Sequence, residues 1–299
     1  MSDPITIDGY QLTRNFHGRL KCLGAGSFGV VLGDAKATVG GASVAVKLGV
    51  CEDEKEFQDA QHEKILLEIP EHPHIVKLLS FHEHAVDSPS FTQSGALMEE
   101  IRYICEEKRA IKPVKHPYPK NMLIPADLIP THRRYCVLAF EIAGDQDLIT
   151  WFETFVQEGV IPDTPPDNQL RKVAKQMASA LAHMHEHGIV HHDFKGENVV
   201  ITGAGSAGLS SKLIDFGLAR RAADGHPGQT GSAPGAAPEM WRDLWSPATY
   251  KGAEEQRVSY KGAPADVWSY GGAPPTASTP FTLERCLLPD RVARHHTAQ

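Results

Sequence analysis

The sequence predicts an α+β chain with its strands gathered in the first half and its helices in the second. Two observations carry that expectation. From Leu20 to Val46 short valine-rich runs are broken by glycine turns, whereas residues 168–187 repeat apolar side chains at helical spacing. The length of 299 residues and a 41 % hydrophobic content suffice for one large domain or two lobes with an ordinary core.

Taken in order, residues 1 to about 15 read as a tail leading into the first strand. L-K-C-L, the loop G-A-G-S-F-G, V-V-L, a turn at Gly40 and Gly41, and S-V-A-V-K follow as strands and turns. A dinucleotide fingerprint would need a helix directly after those glycines. Val30, Val31 and Leu32 read as strand instead, so a hairpin folded over phosphates is expected. Residues 52–69 are rich in helix formers, open on acids and stop at Pro70. After Phe81 a gap of roughly fifty residues, far beyond an ordinary loop, precedes the next strand. This stretch, about 84–134, contains P-V-K-H-P-Y-P-K and L-I-P-A-D-L-I-P with a short helix near 97–109, and reads as an insertion that caps a lobe or docks a partner, with a disordered linker as the alternative.

The strand Y-C-V-L-A-F and the connection E-I-A-G-D then lead to two helices. In 147–157, Leu148, Phe152 and Phe155 share a face. In 168–187, Leu170, Val173, Ala174, Met177, Leu181 and Met184 do, and Gly188 is a suitable stop. The histidines at 183, 185, 187, 191 and 192 raise a zinc site as an alternative, but metal centres need a fuller ligand set and a second shell.

The chemistry concentrates in I-V-H-H-D-F-K-G-E-N-V-V at 189–200 and K-L-I-D-F-G at 212–217. Phosphoryl transfer asks for a carboxylate to accept a hydroxyl proton, oxygen ligands for magnesium and fixed positive charge. Asp193 offers the first, Asp215 with Asn198 the second and Lys195 the third. The net charge of −7 excludes a general binder of nucleic acid or membrane surfaces. Five scattered cysteines without a C-x-x-C pair exclude a disulfide framework or zinc ribbon, and no signal-peptide or membrane-spanning run is present. A cytoplasmic or nuclear setting is the expectation.

These motifs resemble the eukaryotic-type protein kinases of serine/threonine type. His191, Asp193 and Asn198 match the family's H-R-D-L-x-x-x-N; Gly24, Gly26 and Gly29, V-A-V-K ending at Lys47, D-F-G at 215–217, A-P-E at 237–239 and D-V-W-S at 266–269 follow in the family's order. The resemblance implies a kinase-like two-lobed fold: an N-lobe at 16–143 of antiparallel sheet with one main helix, and a mostly helical C-lobe at 144–299 lacking some late helices. It implies ATP and Mg2+ as cofactors and Ser/Thr-bearing protein substrates, with a non-catalytic nucleotide-binding or scaffolding module, or an incomplete fragment, as the alternatives.

The implied site is carried over residue by residue. ATP contacts fall to Leu23, Gly24, Gly26, Ser27, Phe28, Gly29, Val31 and Ala45, to Phe140 at the back of the pocket, and to the backbones of Glu141 and Ala143. Lys47, paired with Glu63, takes the α and β phosphates; Asp215 and Asn198 take magnesium; Lys195 takes the γ phosphate and Asp193 the proton. His192 stands where many kinases carry an arginine that binds an activation-segment phosphate, and Gly228 stands at the usual phosphate position. Activity independent of that phosphate is therefore expected, with Thr230 as another modification site and Ser232 supporting Asp193 and Lys195. After about 271 the chain departs from the family: prolines in G-A-P-P-T-A-S-T-P forbid a continuous helix, and E-R-C-L-L-P-D-R-V-A-R-H-H-T-A resembles the family's late segment, with Arg294 available to Glu239.

Overall fold

The structure, a computed structural model, describes residues 5–13, 20–26, 29–51, 54–85, 134–157, 167–204, 208–224, 237 and 262–272. It divides into two compact units, Met1–Lys64 with Lys77–Ile142, and Ile65–Val76 with Ala143–Gln299. The α+β class and the antiparallel, curled sheet of the first unit agree with the kinase-like expectation.

The first unit is one sheet with a short helix. Its strands are β1 (Ile5–Ile7), β2 (Tyr10–Leu12), β3 (Cys22–Gly26), β4 (Gly29–Ala37), β5 (Ser43–Cys51), β6 (Leu78–Ala85) and β7 (Arg134–Glu141), in the order β1-β2-β4-β5-β7-β6 with β3 also on β4. Pairing is antiparallel throughout, as hairpin connections require. Val30, Leu32, Val44, Val46, Leu48 and Val137 pack with Ile7 and Leu12 into one core. The buried thiol of Cys136 is pushed far up by its hydrogen bond with Cys51 and by burial, so it stays protonated within the sheet.

Residues 5–12 correct the tail reading. They form a hairpin closed by Asp8 and Gly9, with φ of 47° and 82°. A two-residue turn of that kind needs left-handed backbone, which Asp-Gly supplies. Although β1–β2 and β6 lie at opposite ends of the strand order, Tyr10 Oη and Ser80 Oγ are 2.8 Å apart and His84 Nε2 lies 2.7 Å from Asp8 Oδ2. The sheet therefore curls until its ends meet. The chain leaves β6 at Ala85 and re-enters β7 at its pairing partner Arg134, so residues 86–133 depart and return at one place. The short helix expected within that insertion lies outside the described residues.

The helix expected over 52–69 is shorter. α1 spans Glu54–Gln61, and the chain then tightens into a 3-10 turn at His62–Leu67 before Pro70. A terminal 3-10 turn is a common ending, and the residue before proline is biased away from helix.

The second unit contains α2 (Leu148–Gln157), α3 (Asp167–Glu186) and α4 (Gly262–Gly272), with the short strands β8 (Gln146–Asp147), β9 (Ile189–Val190), β10 (Val199–Thr202), β11 (Ser210–Leu213) and β12 (Arg220–Arg221). Asp147 caps α2 by accepting the Thr150 N–H at 2.8 Å. On α2 the buried pair is Trp151 with Phe152 while Leu148 stays half-buried, so the face is turned from the expected Leu148–Phe152–Phe155 set; the Phe155 side chain lies outside the described residues. α3 buries all six expected residues and ends where Gly188 adopts φ 70°.

Segment 65–76 joins this unit, not the expected span of 16–143. Leu213 N–H donates to His74 O and Val76 N–H to Leu213 O, while His72 and Pro70 bond to α3.

Candidate active site

In the first unit, β5 places Lys47 opposite Val31 of β4 and Leu138 of β7, with Ala45 opposite Phe140. Lys47 and Glu63 form an ion pair, and both residues are buried. Burying two charges costs several kcal/mol per ion unless they are paired and hydrogen-bonded, so the pair fixes where the ammonium sits. The 3-10 turn supplies Glu63 from its first turn.

Gly24, Gly26 and Gly29 form the β3–β4 hairpin with Gly26 paired to Gly29, and strand follows directly, as the phosphate-loop reading requires. The glycines are not equivalent. At Gly29, with φ 123°, an added Cβ would lie 2.2 Å from Leu48 O; at Gly24 it would meet nothing within 4 Å. The close approach that demands glycine is thus to the protein's own β5. Leu23 is exposed beside this loop; Ser27 and Phe28 lie outside the described residues. Phe140 is buried near the end of β7, and Glu141 donates its N–H to Lys77 O at 3.1 Å.

In the second unit, the loop after β9 folds back on itself. Asp193 Oδ2 accepts from Lys195 Nζ at 2.7 Å and from Asn198 Nδ2 at 3.1 Å, and the same Nδ2 donates to Asp193 O at 2.8 Å. With its amide nitrogen so engaged, Asn198 presents its oxygen away from Asp193. Ile214 N–H donates to Asn198 O at 2.9 Å, which brings Asp215 beside Asn198 at the ends of β10 and β11. Asp215 adopts φ 61°, a left-handed conformation uncommon outside glycine and frequent at functional sites. Two oxygen ligands of this kind suit a hard cation such as magnesium. Ala143 occupies the connection before β8, half-buried.

The support beneath this loop comes from residues to which sequence reading gave no role. Asp266, 1 % exposed on α4, accepts the backbone N–H of His191 at 2.8 Å and of His192 at 2.9 Å, and lies 2.9 Å from His185 Nε2. Burial pushes its carboxyl upward, but the His185 hydrogen bond, the His191 charge and the two backbone N–H groups hold it below the usual range. D-V-W-S was visible as a motif; what Asp266 touches was not. His191 Nε2 lies 3.2 Å from Ile214 O and its ring meets Phe216 edge-on at 5.0 Å, joining the Asp193 and Asp215 stretches. His192, with φ 64°, is buried against α4: a Cβ on Gly262 would lie 2.7 Å from its Cε1.

The zinc alternative receives no support, since no cluster of three ligating side chains suited to a metal occurs among the described residues. No described helix is long and apolar enough to cross a membrane. Gly228, Thr230, Ser232, Glu239 and Arg294 lie outside the described residues.

Comparison with known proteins agrees with this geometry. The protein kinase domain family matches residues 18–273. Serine/threonine-protein kinase TIO of Arabidopsis thaliana is 30 % identical over 128 residues, covering 43 % of this chain and 8 % of its own. Mouse serine/threonine-protein kinase 36 is 29 % identical over 126 residues, with 42 % and 8 % covered. Rat serine/threonine-protein kinase SIK1 is 37 % identical over 91 residues, with 27 % and 11 % covered. The matched regions thus span about a tenth of these relatives. A match over most of this chain, joined to a paired Lys47–Glu63 and to a loop that orients Asp193 with Asn198 beside Asp215, places the chain in the protein kinase family.

Proposed function

We propose that the chain is a serine/threonine protein kinase, transferring the γ-phosphate of ATP to serine or threonine hydroxyls of protein substrates. The observation that carries this is the Asp193 carboxylate held by Lys195 and Asn198 within a loop anchored on Asp266. Phosphoryl transfer needs positioned charge more than covalent chemistry, and this loop supplies both an oriented base and a cation beside it.

Asp193 accepts the proton of the attacking hydroxyl, a step worth about 10²–10⁴-fold in rate for a positioned base. Lys195, a quarter exposed, can exchange its Asp193 contact for a phosphate oxygen. Lys47, fixed by Glu63, takes the α and β phosphates beneath the Gly24–Gly29 hairpin. The residues present fit a magnesium ion: the Asn198 amide oxygen and the Asp215 carboxylate would hold it, and when bound it neutralises charge on the phosphates. With its N–H committed to Lys77, Glu141 would meet adenine through its carbonyl, and Ala143 through its backbone; Leu23, Val31, Ala45 and Phe140 enclose the base. Lys195 in D-F-K-G-E-N favours serine/threonine over tyrosine acceptors.

The test is transfer of labelled phosphate from Mg-ATP to a generic basic protein, comparing the 299-residue chain with Asp193→Asn. Transfer by the parent, reduced at least 100-fold in the variant at unchanged melting temperature, supports the proposal. No transfer from a parent that melts cooperatively would leave a non-catalytic nucleotide-binding or scaffolding module. The buried His192 further supports phosphate-independent regulation: phosphatase treatment leaves activity intact, and abolition would refute that part.

A further inference from the structure

Three histidines outside the catalytic loop form a stack that phosphoryl transfer does not use. His72 in the turn before β6 lies over His183 of α3, ring centroids 4.9 Å apart and planes 27° apart, and His187 follows at 4.4 Å from His183. All three belong to the second unit. Their hydrogen bonds fix their tautomers. His72 Nδ1 accepts the His74 N–H at 3.2 Å and so carries no proton, leaving Nε2–H to donate to Ser179 Oγ at 3.1 Å. His183 Nε2 faces Pro70 O at 2.9 Å and His187 Nδ1 faces His183 O at 2.7 Å; each must be an N–H donor, because a carbonyl only accepts.

We propose that His72, stacked on His183, is a proton-operated clamp, which holds the turn at residues 70–74 on α3 while the His72 ring is neutral and releases it in mild acid. A second proton on His72 would land on Nδ1 and remove the acceptor of the His74 N–H. It would also place a charge inside the stack, where burial opposes it.

The surroundings do not rescue the cation. His74, edge-on to His72 at 5.6 Å, and Lys212 of β11 both oppose charge on His72; burial, then His183, His74 and Lys212, hold its proton affinity below the ordinary histidine value. Glu68 lines a groove with His187, but it is already paired with Arg221. Glu71 and Glu186 beside the stack are exposed. A histidine whose affinity is lowered by folding stabilises the clamped form above its unperturbed value of about 6.5 and loses that contribution as pH falls below it.

The clamp is not the sole attachment of this segment, since His74 Nδ1 also lies 2.9 Å from Ser211 O. Backbone pairing of His74 and Val76 with Leu213 holds it as well, and does not titrate. Acid should therefore loosen residues 70–74 without melting the unit.

Hydrogen exchange of the 299-residue chain, followed by mass spectrometry at pH 7.5 and 5.5 and corrected for intrinsic rates, tests this. One histidine regaining an ordinary affinity of about 6.5 multiplies the released fraction by about ten between those pH values. The expected result is such an acceleration in peptides covering 70–74, absent from the variant His72→Asn, whose side-chain oxygen can still accept the His74 N–H. No acceleration in the parent, or the same acceleration in the variant, overturns the clamp. Ring titration of the parent by NMR gives a reading that does not depend on the variant folding: a His72 midpoint below 6.5 supports the clamp, and one at or above it overturns it.

Discussion

Lys47 with Glu63 and Lys195 with Asp193 are both lysine–carboxylate pairs, yet they are built oppositely. The first joins residues sixteen apart on separate elements, with side chains 9 % and 3 % exposed. The second joins residues two apart in one loop, with side chains 28 % and 10 % exposed. The buried pair must hold itself, because removing either member strands a charge. The second pair, with Asp193 buried and Lys195 half-buried, lies in a loop that relies on Asp266, more than seventy residues away, to hold it. Where the lysine is fully buried, position comes from the pair; where it is half-buried, position comes from the backbone beneath.

The largest expected effect follows from removing that distant support. Asp266→Ala deprives the His191 and His192 N–H groups of their buried acceptor, and at about 1–3 kcal/mol per stranded group it should cost about 4 kcal/mol, read as a lowered denaturant midpoint. Asp266→Asn sharpens the comparison through pH. A carboxylate held below its unfolded value of about 3.9 stabilises the fold above that pH and loses the contribution as pH falls through its lowered value, so the variant's Tm should decline less steeply on the acid side than the parent's.

Next is the buried pair. Lys47→Met or Glu63→Leu alone should cost about 3 kcal/mol, whereas the double variant should recover to within about 1 kcal/mol of the parent while phosphate transfer stays abolished. Additive losses in the double-mutant cycle would show that the pair does not govern this site.

Smaller still is the hairpin. Gly29→Ala must displace β5 backbone and should cost about 2 kcal/mol, while Gly24→Ala, facing open space, should stay within about 0.5 kcal/mol in the same denaturant measurement. Equal losses would mean the two glycines are under one constraint.

Sequence made legible what is local. Asn198 reaches Asp193 across five residues, and α3 declared its buried face through spacing alone. The D-G at Asp8–Gly9, flanked by I-T-I and Y-Q-L, is an equally local signal for the first hairpin, weakened by strands of only three residues. What could not be read were contacts set by the tertiary path. Asp266 beneath the loop, His72 on His183, and the attachment of 65–76 to the second unit join residues more than seventy apart, and no periodicity encodes their meeting. The Lys47–Glu63 pair lies between these cases: several glutamates share the helical stretch, and only the motif's register selected Glu63.

The meeting of the sheet's two ends also bears on solubility. An open sheet presents rows of unsatisfied N–H and C=O groups to any passing chain. Here the Asp8–Gly9 hairpin covers β4 at Lys36 and Ala37 and is tied across to β6 by Tyr10–Ser80 and Asp8–His84. Residues 5–12 therefore act as a guard against self-association. Shortening the chain to begin at the glycine loop, while leaving every residue of the proposed site in place, would bare that edge and favour strand-to-strand aggregation.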